Sequence, residues 1–240
     1  MSDINNSNIK MPTHICIIMD GNGRWASKKL MPRSYGHKVG MDSVIEIVKH
    51  SSNIGIKYLS LYAFSTENWK RPSEEVNGLM DLMVIYIRNQ LNELKKNNVK
   101  IKLMGDKSVL PKKPLAEINR AIDETKNNTG MVLNLGINYG GRAEMIKACK
   151  EITENVINGT INIENLTEEN FADYLYTKGQ PDPDLLIRPG AEKRLSNFMT
   201  YQTAYSELYF TDVLWPDFRS AHLDEAIAEY SRRKRRFGGL

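Results

Sequence analysis

Six short runs of apolar residues, separated by longer amphipathic stretches, restrict the fold more than any other feature of this chain. They lie near His14–Met19, Tyr58–Phe64, Val99–Met104, Val132–Ile137, Asp184–Ile187 and Glu207–Phe210. Runs of this length suit strands buried on both faces of a sheet. Helical periodicity fills the intervals near Lys38–Asn53, Ser73–Asn97, Pro114–Lys126, Arg142–Ile157, Glu168–Tyr174 and His222–Arg233. Such alternation predicts an α/β fold: a single domain with a mostly parallel central sheet, flanked by helices and joined by right-handed crossovers. Ser73, ahead of Glu74 and Glu75, is expected to cap its helix. No linker, repeat or low-complexity tract divides the chain. The first dozen residues are polar and rich in asparagine, so 1–12 reads as a disordered arm ahead of one domain over 13–240.

Charge is unevenly placed. Beyond Tyr230 the chain carries Arg232, Arg233, Lys234, Arg235 and Arg236 with no acid, and without these five it has 28 basic against 29 acidic residues. The body is therefore not a nucleic-acid surface, and the C-terminal tail is the basic object. No apolar stretch approaches a membrane span, and the polar start lacks a signal pattern. Cys16 and Cys149 have neither metal-ligand nor CxxC spacing and read as core residues of a cytoplasmic protein.

The segments that follow the strands carry the chemistry. After the first comes Asp20-Gly21-Asn22-Gly23-Arg24-Trp25, after the second Ser65-Thr66-Glu67-Asn68-Trp69-Lys70-Arg71, after the fourth Asn138-Tyr139-Gly140-Gly141-Arg142, and after the fifth Arg188-Pro189-Gly190. In open α/β sheets ligands bind outside the carboxyl ends of the strands. Glycines let several N–H groups converge on a phosphate, and a carboxylate beside phosphates calls for a metal between them, most simply Mg²⁺. The Gly21, Gly23, Ala26 spacing also fits a dinucleotide turn, but Arg24-Trp25 crowds it and no acid of the required kind follows. Walker A and EF-hand patterns are absent. Arg188, Arg194 and Ser196 form a second anion-binding candidate, against a plain salt-bridge cluster with Glu192. Arg33 and His37 precede a helix, where His37 either caps it or donates to a phosphate; His14, His50 and His222 read as structural. Glu207, at the start of the last strand, is either a solvated acid or a second metal ligand. Leu79, Met80, Met83, Val84, Ile87 and Leu91 form an apolar face that suits either core packing or the wall of a channel.

Taken together, several blocks resemble the cis-prenyltransferase family. They are His14–Ala26 (HICIIMDGNGRWA), Arg33–His37 (RSYGH), Tyr62–Trp69 (YAFSTENW), Asn138–Arg142 (NYGGR), Pro181–Arg188 (PDPDLLIR), Arg194–Phe198 (RLSNF) and Ala204–Phe218 (AYSELYFTDVLWPDF). The resemblance runs from about His14 to the C-terminus. It implies a cytoplasmic Mg²⁺-dependent transferase that condenses isopentenyl diphosphate onto an allylic diphosphate, typically farnesyl diphosphate. The product would be a polyprenyl diphosphate carrier such as undecaprenyl diphosphate, used in cell-wall glycan assembly. Shorter products, or a noncatalytic subunit, are the competing readings.

On this resemblance the allylic diphosphate sits on Gly21, Asn22, Gly23, Arg24, Trp25, Arg33 and His37, and isopentenyl diphosphate on Arg188, Arg194 and Ser196. Asp20 and Asn68 are catalytic, and Asp20 and Glu207 hold Mg²⁺. Phe64, Ser65, Thr66, Glu67, Trp69 and Arg71 position the substrates. Arg236 and Gly238 reach the isopentenyl site of a neighbouring subunit, which implies a homodimer; for Arg232–Arg235 the alternative is a solvated or membrane-surface basic end, and peripheral contact with the inner face of a membrane is expected for product release. Leu133 is expected near the closed end of a product tunnel. Two departures stand out: Pro189-Gly190-Ala191 where the family commonly has Thr-Ser-Gly, and Met199-Thr200-Tyr201 ahead of Gln202.

Overall fold

The computed structural model describes residues 9–234. Its strands are β1 (His14–Ile18), β2 (Tyr58–Ser65), β3 (Lys100–Met104), β4 (Val132–Tyr139), β5 (Leu185–Pro189) and β6 (Glu207–Thr211). They form one sheet in the order β3-β4-β2-β1-β5-β6, and every pair is parallel. The helices are α1 (Asn22–Lys28), α2 (Arg33–Asn53), α3 (Ser73–Lys96), α4 (Lys112–Thr125), α5 (Gly141–Ile157), α6 (Glu168–Phe171) and α7 (Ser220–Arg232). No helix among the described residues is long and apolar enough to cross a membrane.

β1 is buried at all five residues because it is covered on both sides. Ile15 and Ile17 enter the larger core under α2, α3 and α7, while Cys16 and Ile18 turn to a smaller one with Tyr139, Phe198 and Met199. The chain leaves β1 toward β2 on one side and returns to β5 on the other. The strand order therefore reverses at β1, which opens a crevice at its carboxyl end.

Several local expectations are corrected. Helix α1 replaces the open glycine turn. Its entry, Gly21, has φ 108°, and α2 packs on it through two glycines. A β-carbon on Gly36 would lie 2.0 Å from the Asn22 carbonyl oxygen, and one on Gly40 would lie 2.2 Å from Asn22 Oδ1. Ser73 is not the cap of α3: it is already helical, and the extended residue before it is Pro72, which offers no side-chain bond. Cys149 is exposed, because the buried stripe of α5 runs through Glu144, Ala148 and Ile152. In the expected arm, Ile9 and Met11 pack on the core and the Lys10 N–H donates to Ser231 Oγ (2.8 Å), so apolar burial orders these residues. Residues 1–8 of that arm lie outside the described residues.

Candidate active site

Asp20 leaves the carboxyl end of β1 between two arginines. Its Oδ2 accepts from Arg188 Nη2 at 3.0 Å and pairs with Arg24 Nη2 at 3.1 Å. Burial opposes ionisation of Asp20, but the Arg188 hydrogen bond and the Arg24 charge outweigh it and hold the carboxyl below its usual range. Arg188, at the end of β5, is 3% exposed. Its Nη1 donates to Ser196 Oγ at 2.7 Å and to the Arg194 carbonyl, while its buried Nε has no partner. The pairing of Arg194 with Glu192 does form, and the same carboxylate lies 3.8 Å from Arg24. Arg194 nevertheless lines the cavity described below.

A second cationic group faces the first from α2 and the entry to α3. Glu75, which sequence reasoning missed, lies 2.9 Å from Arg71, 3.6 Å from Arg33 and 3.9 Å from His37. Its spacing of four from Arg71 was the available signal. Burial, with Arg71 adding to it, lowers the His37 pKa to about 4, so the imidazole is neutral near pH 7. His37 Nε2 and Asn22 Oδ1 are buried without a hydrogen-bond partner. Three such orphans at one crevice (Arg188 Nε is the third) are costly unless a polar ligand meets them.

The β2–α3 segment forms one wall. Asn68 Oδ1 accepts from the Ser65 N–H at 3.1 Å and closes the 3-10 turn Thr66–Lys70. Glu67 Oε1 accepts from Asn197 Nδ2 at 2.9 Å, and Asn197 Oδ1 accepts from the Arg142 N–H at 2.9 Å. Burial opposes ionisation of Glu67, but the Asn197 bond and local donors win and lower its pKa. Arg142, from the segment that follows β4, lines the cavity, and so does Asn197, which sequence reasoning did not single out. The loop that carries Asn197 is conformationally demanding: Ala191, Ser196, Asn197 and Met199 all have positive φ.

These groups surround one cavity of about 730 Å³ with two chemically distinct ends. Of the residues proposed from the sequence, Asp20, Asn22, His37, Phe64, Ser65, Glu67, Asn68, Arg71, Arg188, Arg194 and Ser196 line it. Beyond them the wall becomes apolar, through Leu79, Leu82, Met83, Tyr86 and Ile87 of α3 and Leu135 and Ile137 of β4. Helix α3 therefore serves both roles, since Met80, Val84 and Leu91 are core. Leu133 is not in the lining; it lies one strand step deeper than Leu135 and is 1% exposed.

Other expected residues stand elsewhere. Gly21, Gly23, Arg24, Arg33 and Thr66 are not in the lining, although Arg24 and Arg33 pair with Asp20 and Glu75, which are at or beside it. Trp25 is buried and donates its indole N–H to Asp217 at 2.8 Å, which anchors α1. Trp69 donates to Asn138 Oδ1 at 2.8 Å and packs edge-on against Phe64, supporting the wall from behind. Glu207 opens β6 level with Leu185 and Ile15. Asp20 lies five residues further on, about 16 Å along the sheet and about two strand spacings across. One chain thus keeps Glu207 away from Asp20, and Arg233 Nη1 binds it at 2.9 Å. Arg236 and Gly238 lie outside the described residues.

The donor set suits a metal only in company with a ligand. No group of three or more His, Cys, Asp or Glu side chains able to hold a metal occurs among the described residues. Both guanidinium contacts of Asp20 fall on Oδ2, so a hard cation sharing Asp20 with phosphate oxygens fits these residues.

Comparison with known proteins agrees with this geometry. A family model described as "Putative undecaprenyl diphosphate synthase" matches residues 18–238. An isoprenyl transferase of Clostridium tetani is 54% identical over 230 residues, covering 96% of this chain and 90% of the relative. Among solved structures, lavandulyl diphosphate synthase from Lavandula x intermedia, in complex with dimethylallyl diphosphate, has a TM-score of 0.92 at 36% identity, covering 95% of this chain and 98% of that one. A probable undecaprenyl diphosphate synthase from Campylobacter jejuni has a TM-score of 0.79 at 33% identity, covering 96% and 100%.

Proposed function

The chain belongs to the cis-prenyltransferase family and is a transferase, and from that premise we propose that it extends an allylic diphosphate with isopentenyl diphosphate. One observation carries the reading: a single cavity joins a cationic mouth to an apolar channel. That is the shape and polarity of a diphosphate ester bearing a hydrocarbon tail.

In the proposed reaction the allylic C–O bond breaks and its electron pair leaves with the diphosphate. The alkene of isopentenyl diphosphate forms the new carbon–carbon bond, and a proton is lost to give a cis double bond. Arg24, Arg33, His37 and the first N–H groups of α1 (at Asn22, Gly23 and Arg24) bind the allylic diphosphate and stabilise the charge that develops on it. Neutral His37 serves as a hydrogen-bond donor. Arg188, Arg194 and Ser196 hold the second diphosphate, and Asn68 with Ser65, Phe64 and Arg71 orients the reacting carbons. Asp20 would hold Mg²⁺ together with the diphosphates, and the ion would supply charge neutralisation at the leaving group.

Purified protein given farnesyl diphosphate, isopentenyl diphosphate and Mg²⁺ should yield products rising in five-carbon steps, read by mass spectrometry. No condensation product, from farnesyl diphosphate or from dimethylallyl diphosphate, would reject the reading. The likeness to lavandulyl diphosphate synthase, solved with dimethylallyl diphosphate, favours a second reading, a single short condensation, which the same spectrum separates by an endpoint one five-carbon unit above the starter: about twenty carbons from farnesyl diphosphate, about ten from dimethylallyl diphosphate. Supply of a long carrier for cell-wall assembly, a cytoplasmic homodimer and peripheral contact with the inner face of a membrane complete the proposal.

A further inference from the structure

The link between α1 and α2 breaks two folding preferences at one residue. Helix α1 closes with three backbone bonds, Lys29 N–H (3.0 Å) and Met31 N–H (2.9 Å) to the Ala26 carbonyl and Leu30 N–H to the Ser27 carbonyl (3.1 Å). This closing turn puts its middle residue in the left-handed region, where glycine is the usual occupant. Here the residue is Leu30, at φ 57°. A β-branching side chain is not needed for strain there; any β-carbon is disfavoured. Burial does not compensate, because Leu30 is 96% exposed. Met31 and Tyr35 beside it are each 40% exposed, and every residue from Ser27 to Tyr35 is exposed. A strained leucine held out in water has no apolar partner among the described residues and does nothing for their fold, which points to a partner beyond them.

Charge identifies the kind of partner. The stretch 21–41 contains five Lys or Arg and no Asp or Glu; Arg24 and Arg33 turn to Asp20 and Glu75 at or beside the cavity, and the lysines remain for the surface. Lys28 and Lys29 immediately precede Leu30, and Lys29 lies over the Trp25 ring at 4.7 Å. An apolar tip beside clustered cations matches an anionic lipid surface, with apolar side chains entering the headgroup region and lysines meeting phosphates. We propose that the Ser27–Tyr35 turn docks this protein on an anionic membrane, with Leu30 and Met31 inserted. The next turn of α2 brings His37 to the cavity wall, so docking holds the cavity mouth at the lipid surface. This inference rests on the membrane contact proposed above and moves its site from the C-terminal tail to the α1–α2 turn.

The test is vesicle co-sedimentation of the full chain, with phosphatidylcholine alone and with phosphatidylcholine containing phosphatidylglycerol. The native protein should bind the anionic vesicles at least tenfold more tightly. Leu30→Gly suits the backbone, so it should keep or raise Tm while weakening vesicle binding about tenfold. Lys28→Gln with Lys29→Gln should weaken only the anionic preference. If Leu30→Gly binds like the native chain and Arg232→Gln with Lys234→Gln abolishes binding, the membrane contact stands and this site falls. If the native chain ignores both vesicles, both ideas fail. If Leu30→Gly instead changes the oligomeric state measured by light scattering, the turn is a contact between copies and the proposal is overturned.

Discussion

Replacing Arg188 with lysine keeps the charge and removes the fork, which makes it a sharp probe of the cavity mouth. The guanidinium reaches Asp20 Oδ2 at 3.0 Å from one nitrogen and Ser196 Oγ at 2.7 Å from another. A single ammonium cannot hold both, and at 3% exposure water cannot replace the missing donor. Losing one bond to a charged partner costs about 1.5–3 kcal/mol, and imperfect pairing of a buried cation adds to it. The expected destabilisation is about 2–4 kcal/mol, or a Tm lower by about 5–12 °C for a domain of this size. Steady-state kinetics should show kcat/KM for isopentenyl diphosphate down about a hundredfold, with the KM of the allylic substrate within about threefold. A double-mutant cycle on stability with Asp20→Asn should give a coupling of at least about 1 kcal/mol. Additive losses, or a kinetic effect confined to the allylic substrate, would refute the assignment of Arg188 as the hinge between Asp20 and the second diphosphate.

Two further outcomes follow from the same geometry. Burial lowers both His14 and His37 to about 4, below the unfolded value, so each favours the fold in its neutral form. That contribution is full above pH 6.5 and is lost as pH falls toward 4, at about 2 kcal/mol for each histidine between pH 7 and 5; urea melts should show the loss, and His37→Gln should remove about half of it, whereas a flat profile would contradict the burial argument. Leu135→Phe narrows the apolar end of the cavity, so mass spectra should shift to shorter products while both substrate KM values stay within about threefold; unchanged product length would remove β4 from the channel.

The sheet was legible because its central strands are buried on both faces and read as unbroken apolar runs. Helix α1 was not, since Gly21 and Gly23 suggest a turn and the stabilising contacts come from Gly36 and Gly40, which are distant in sequence. The resemblance alone makes Trp25 and Trp69 substrate contacts. Their indole N–H groups found Asp217 and Asn138 instead, which only tertiary structure reveals. Glu207 is different, because its place was readable: a residue that opens a parallel strand lies at the rim opposite the one where Asp20 ends β1. Asn197 gave no pattern, since its role depends on a left-handed backbone (φ 64°) that aims the two ends of its amide at the Thr66–Lys70 turn and the start of α5.

The most direct measurement is a crystal structure of the protein with Mg²⁺, isopentenyl diphosphate and an unreactive thiolo analogue of farnesyl diphosphate. The account predicts one diphosphate on Arg188, Arg194 and Ser196, the other near His37 and Arg24, and the farnesyl chain running between Leu82 and Leu135. Diphosphates bound away from Asp20, or a farnesyl chain outside that channel, would contradict it.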